Sequence, residues 1–236
     1  MLLGMGDTMR VIENRKLRDI LRILRPFFAI PFFAIGGIVF FGEKKHLFIS
    51  LFVAVLSVLL FIAGFEKKEI GARRMVIVSV MVALGVIGRL IPFFKPITAI
   101  TVITAMYLGG EAGFLVGALS ALISNFYFGQ GPWTPFQMLA FGLIGLFAGF
   151  ISKTLRKSRP LLLIYGLLSG ALYSFLMDVW NVLSYNDGFD IALYIAALIT
   201  ALPHTILYSV SNLVFLWFMA KPFGDKLNRI KIKYGI

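Results

Sequence analysis

Residues 124–137 read SNFYFGQGPWTPFQ and stand between two long apolar segments. Amides, hydroxyls, two glycines, two prolines and an aromatic cluster meet here in an otherwise lipid-like sequence. Polar groups at such a boundary need partners, because burying an unpaired amide costs about 1–3 kcal/mol or more. The simplest reading is a turn. Pro132 and Pro135 end one helix and start the next, Gly129 and Gly131 supply positive φ, and Trp133 anchors at the membrane interface. The sharper reading is that the turn also lines a pocket for a polar or amphipathic solute on the outer side of the membrane.

Outward from the turn, composition sets the class. With 59% hydrophobic and 14% charged residues, and several charge-poor runs of fifteen or more, the chain reads as an all-α, multi-spanning membrane protein. The absence of cysteine excludes disulfides, thiolate metal sites and cysteine nucleophiles, and two histidines in distant segments leave little for a metal centre. No G-x-x-x-x-G-K-[ST] loop is present, so any ATP-driven work must come from a partner. Paired membrane carboxylates, H-E-x-x-H and G-x-S-x-G are missing too, so the core carries no recognised catalytic motif and no catalytic residue is assigned.

Four regions follow in order. Residues 1–26 form a basic amphipathic helix: Val11, Ile12, Leu17, Ile20, Leu21 and Leu24 oppose Arg10, Arg15, Lys16, Arg18, Arg22 and Arg25, as suits a cytoplasmic membrane surface. Residues 27–65 hold two hydrophobic segments. At about 1.5 Å per residue, 27–41 falls short of the roughly 30 Å hydrocarbon core and reads as a short span or a re-entrant hairpin, whereas 46–65 is long enough to cross. Residues 72–220 carry six apolar segments, at 75–91, 97–109, 113–128, 135–151, 161–185 and 191–220; the last is long enough to tilt or to break at Pro203. Residues 221–236 form a basic tail.

Lysine and arginine orient this arrangement. With the N-terminus inside, 19 of the 23 basic residues fall on the cytoplasmic side, and the outer loops keep Lys44, Lys45 and Lys95. Both termini are then cytoplasmic, and the net charge of +12 reflects membrane topology and contact with lipid, with no need for a nucleic-acid partner. Small residues recur four apart at Gly113, Gly117 and Ala121, at Gly145 and Gly149, and at Gly166, Gly170 and Ser174, which predicts close helix packing.

Polar residues inside the membrane are costly and face the bundle interior or a cavity. Arg89 and Asp178 reach a similar depth in the outer half, either as an ion pair or as ligand contacts. Asn181 and Tyr185 follow Asp178 on one helix face. Ser120 and Ser124 lie one turn apart, with Asn125 beside the second.

The core resembles the substrate-binding S components of energy-coupling factor (ECF) transporters for vitamins and related micronutrients. The resemblance covers about 72–220. It rests on ARRMVIVSVMVALGVIGRLIPFFKPITAI, on YLGGEAGFLVGALSALISNFYFGQGPWTPFQM and on the following FGLIGLFAGF. It implies a six-helix S-component core in a prokaryotic cell membrane that binds its solute from outside. It further implies partnership with a coupling subunit and two ATP-binding subunits, with the bound vitamin as transported solute and no cofactor. In the family an A-x-x-x-A face on the first core helix docks on the coupling subunit; here Ser79-x-x-x-Ala83 stands in its place. The 27–65 segments lie outside that common core.

The residues expected around the solute are Arg89, Asn125, Gln130, Trp133, Gln137, Asp178, Asn181 and Tyr185, with the loop 126–132 closing the pocket. Within the family the chain looks most similar to the cobalamin-type S components; riboflavin-like, pantothenate-like and queuosine-precursor solutes stay open. Two other classes remain. One is a membrane enzyme acting on a lipid or isoprenoid, for which Asp178 and His204 are the only core candidates. The other is a ligand-free assembly or sensor subunit.

Overall fold

A computed structural model of the chain describes residues 71–131, 133–185 and 190–235. The N-terminal amphipathic helix and the two hydrophobic segments of 27–65 lie outside the described residues, as does the side chain of Tyr185. The described chain is all-helical, with α1 (Gly71–Arg89), α2 (Ile97–Leu108), α3 (Gly110–Phe128), α4 (Thr134–Phe150), α5 (Ser152–Lys157), α6 (Arg159–Tyr185) and α7 (Ile191–Tyr234). Gly110–Phe128, Arg159–Leu183 and Ile191–Tyr234 are long and apolar enough to cross a membrane, and Ile97–Leu108 and Thr134–Phe150 are shorter apolar helices.

Each of the six core segments read from the sequence falls largely on one helix, though their lengths run from 12 residues in α2 to 44 in α7; α5 is a short addition in the basic stretch after α4. Pro203 does not end α7. The helix continues through Pro203 and Pro222, so part of the predicted tail is helical. Asp190 starts α7 by accepting from the Ala192 and Leu193 amides at 2.8 and 3.0 Å, which satisfies two of the donors a helix start leaves open.

The short α2 sits at the centre, with every residue except Tyr107 buried. Around it the helices approach at glycines. A Cβ on Gly145 would lie 2.4 Å from the Gly113 carbonyl carbon, one on Gly149 2.2 Å from Gly110 Cα, and one on Gly117 2.4 Å from Phe141 O. The α3–α4 contact is therefore backbone against backbone, the arrangement small residues permit where lipid provides no hydrophobic drive between helices. The third stripe works on α7. Gly170 packs on Ser209, whose hydroxyl donates to Leu167 O at 3.0 Å, and Asn212 Nδ2 donates to Gly166 O at 3.1 Å.

Candidate functional site

One contact between α1 and α3 sets the site. Gly85 lies against Ser120, where a Cβ would come within 2.3 Å of the hydroxyl oxygen. One turn further along both helices, Arg89 meets Ser124. Arg89 is in the last turn of α1, where a cation complements the helix dipole, and it is buried at 6% exposure. Its Nη1 donates to Ser124 Oγ at 2.6 Å, to Asn125 Oδ1 at 2.8 Å and to Ala121 O at 3.3 Å, and its Nη2 donates to Gln137 Oε1 at 3.2 Å.

The quoted turn supplies the other wall. Helix α3 ends at Phe128 and Gly129 takes φ +101, a left-handed value that favours glycine. Gly131 does not need positive φ, contrary to the sequence expectation; the Trp133 ring lies over it, where a Cβ would come within 2.4 Å. Because residues 126–128 are helical, the connection is shorter than the predicted loop 126–132. With Pro135 in its first turn, α4 begins pre-set, and Asn125, one turn before the end of α3, faces Thr134 and Gln137. Asn125 Nδ2 donates to Thr134 Oγ1 at 2.9 Å and to Gln137 Oε1 at 3.0 Å. Thr134 Oγ1 in turn donates to Gln130 Oε1 at 3.0 Å, and Gln130 Nε2 donates to Leu122 O at 2.9 Å.

Four of the eight expected solute residues, Arg89, Asn125, Gln130 and Gln137, thus join one network, while Trp133 lies at its edge with a partly exposed ring. Their roles differ. Asn125 is 1% exposed and its amide is fully engaged, so it positions Arg89 and Gln137. Arg89 keeps donor capacity at Nε and at one Nη2 hydrogen, and Gln137 is only partly buried.

Asp178 and Asn181 form a separate group on α6. Asn181 Nδ2 donates to Asp178 Oδ1 at 3.2 Å, and the buried Asp178 Oδ2 has no partner. The Arg89–Asp178 ion pair offered by their similar depth is not formed: the amides and hydroxyl of α3 and α4 take the guanidinium instead. Sequence depth fixes height along the bundle and not the angle around it. His204, the other acid–base candidate of the enzyme reading, is exposed on α7.

Aromatic faces complete the surroundings, and most were not singled out from the sequence. Phe136 and Trp180 have ring centroids 5.2 Å apart, and Tyr173 stacks on Phe141 at 4.5 Å and meets Tyr208 at 5.0 Å. The Phe128 ring lies 5.4 Å from the Arg89 guanidinium and 5.0 Å from Lys95 Nζ. Burial, and then the neighbouring Arg89 charge, lower the pKa of Lys95 from its ordinary value. Thr134 was also missed, although its place in the quoted stretch, nine residues after Asn125, was a usable signal. No group of three or more His, Cys, Asp or Glu suited to a metal occurs among the described residues.

Residues 69–229 match the family model described as ECF-type riboflavin transporter, S component. The chain belongs to this family. No curated protein and no solved structure matched it. The S component is a multi-pass membrane subunit of a transporter and not an enzyme; such subunits bind a vitamin and pair with a coupling subunit and ATPases. The expected cobalamin-type subgroup is not supported, since the matching model carries the riboflavin name. An amide-rich pocket with aromatic faces is common to many amphipathic solutes, so those residue types alone did not separate the subgroups.

Proposed function

We propose that this S component captures riboflavin, or a closely related flavin, at the outer half of the bundle and delivers it through an ATP-driven ECF importer. The observation that carries the reading is the Arg89–Asn125–Gln137 network: a buried guanidinium and amides held ready between three helices. A flavin presents an edge of alternating carbonyls and N–H, which arginine and amide groups match. Its flat tricyclic ring suits aromatic faces such as Trp133, Trp180, Phe136 and Phe128. Asp178, with Oδ2 unpartnered, and Asn181 and Tyr185 are assigned to the same solute from the α6 side, as acceptors for hydroxyls of the sugar-alcohol chain. The inside position of both termini follows from the lysine and arginine bias.

The test is a riboflavin titration of the detergent-purified full chain, read by quenching of flavin fluorescence, with mass spectrometry of copurified ligand. Saturable quenching at one flavin per chain is expected. Neither quenching nor a copurified flavin would remove the solute assignment. In proteoliposomes, uptake should require ATP and the partner subunits; ATP-dependent uptake by the lone chain would refute the division of labour.

Docking on the coupling subunit is assigned to the α1 face bearing Ser79 and Ala83, both exposed. Ser79→Leu and Ala83→Leu are expected to weaken pull-down of the coupling subunit, because bulk blocks close helix approach, while riboflavin affinity stays within about twofold. Unchanged pull-down would move the docking face elsewhere.

A further inference from the structure

The end of the bundle remote from Arg89 contains a polar cavity. Arg74 and Arg89 are fifteen residues apart on α1, which at 1.5 Å per residue separates them by about 22 Å. A pocket of about 290 Å³ opens around Arg74, with Tyr107 and Gly109 at the end of α2, Ser152 and Arg156 from α5, and Lys231 from α7. Among the described residues, three cations line it and no acid does.

Local structure holds these groups in place. Arg74 Nη2 donates to Leu108 O, and Lys231 Nζ donates to Tyr107 O at 3.2 Å. The Arg156 guanidinium lies 5.6 Å from the Tyr107 ring centroid. Gly109, at φ +97, brings backbone against Arg74, where a Cβ would sit 3.4 Å from Nη2. Gly224 lets α7 pass directly over Tyr107, since a Cβ there would come within 2.4 Å of the hydroxyl, and α7 then reaches Lys231 about two turns later. The unusual length of α7 and the separate α5 thus both deliver a cation to one cavity. Among the described residues, Glu111 and Asp225 are the acids whose charge reaches this end, and neither lines it.

We infer that this cavity is an anion site for a phosphate group. Two guanidinium forks and an ammonium, with Ser152 in the same lining, offer donors from several directions. That suits a tetrahedral oxyanion with many acceptor oxygens. The group comes either from a phospholipid headgroup or from a free phosphate. Binding would tie α1, α2, α5 and α7 together at the basic end. The inference is independent of the solute assigned to the outer site.

Native mass spectrometry of the full chain in detergent, at fixed ionic strength, tests it with two probes: phosphatidylglycerol and inorganic phosphate. The wild type is expected to bind at least one. Arg156→Gln with Lys231→Gln should weaken that binding by about tenfold or more, the loss expected for charge-assisted contacts. The control, Lys153→Gln with Lys157→Gln, removes equal charge from exposed sites on α5 outside the lining and should leave binding within about twofold. Adducts with phosphatidylglycerol alone assign a lipid headgroup; adducts with inorganic phosphate as well assign a free phosphate site. No adduct with either probe overturns the inference, as do equal losses in the two double variants, which would reduce the cavity to general surface charge. If the first double variant does not fold, Arg156→Gln against Lys153→Gln decides by the same criterion, because Arg156 is exposed and its hydrogen bond is to Ser152 O of its own short helix.

Discussion

Arg89→Lys should lower riboflavin affinity by roughly 10- to 150-fold, the equivalent of about 1.5–3 kcal/mol for hydrogen bonds to a charged group. The substitution keeps the charge and removes the fork. In the native protein one nitrogen serves Ser124, Asn125 and Ala121 O while the other reaches Gln137. An ammonium on a shorter stem cannot serve both groups, so Gln137 loses its fixed position and the free donors at Nε and Nη2 disappear. Flavin titration and thermal unfolding in detergent should be measured together. If the network only holds α1, α3 and α4 together, the unfolding temperature falls and affinity stays within about twofold, which would refute its part in solute binding. Gln137→Ala sharpens the comparison. Gln137 is only partly buried, so its loss should cost affinity, about 5- to 150-fold, more than fold stability.

The same experiment separates Arg89 from Asp178. As the two side chains do not pair, Arg89→Lys and Asp178→Asn should have stability effects that add to within about 0.5 kcal/mol. A larger coupling would mean that the two charges meet through the solute site or through the fold.

The sequence made the helices legible because lipid imposes a strong rule: a spanning segment must be apolar and must satisfy its own backbone. Glycine spacing likewise exposed the packing faces, for Gly113, Gly117, Gly145 and Gly149 do lie where α3 and α4 touch. Hydropathy was less informative past the membrane. Lysines in 221–236 read as a tail, yet α7 continues there because leucine, isoleucine and phenylalanine at Phe223, Leu227 and Ile230 keep one side partly or fully buried. At the site, Arg89, Asn125 and Gln137 stood out as polar residues in apolar surroundings, and their convergence follows from the Gly85–Ser120 contact and the short α3–α4 turn. Partner choice was not legible. Whether Arg89 meets Asp178 or Asn125 depends on helix rotation, which periodicity leaves open when helices are apolar nearly all round. The cavity at Arg74 went unnoticed because its cations come from three separate stretches, each of which satisfies the positive-inside pattern by itself.

Gly145→Ala should lower both unfolding temperature and flavin affinity, and here the cause is backbone distance. A Cβ on Gly145 would lie 2.4 Å from the Gly113 carbonyl carbon, 2.5 Å from its oxygen and 2.8 Å from Thr101 Cγ2. Neither backbone atom can rotate away, so α4 must move from α3, at a cost of about 1–3 kcal/mol or more for overpacking. That movement propagates along two stiff helices to the turn. Asn125 on α3 and Gln137 on α4 are joined at 3.0 Å, and Arg89 spans both, so a separation of even half an ångström stretches these bonds past useful length. Gly113→Ala should behave alike, since its Cβ would meet Ala105 Cβ at 2.4 Å and Gly145 O at 3.0 Å. The pair should be sub-additive: once one methyl has opened the α3–α4 interface, the second occupies space already made, and neighbouring sites sharing a backbone shift couple in this way. Thermal unfolding and flavin titration on the two single variants and the double variant measure all three quantities. Full additivity, or lost stability with unchanged affinity, would show that the glycine contact and the solute network are mechanically separate.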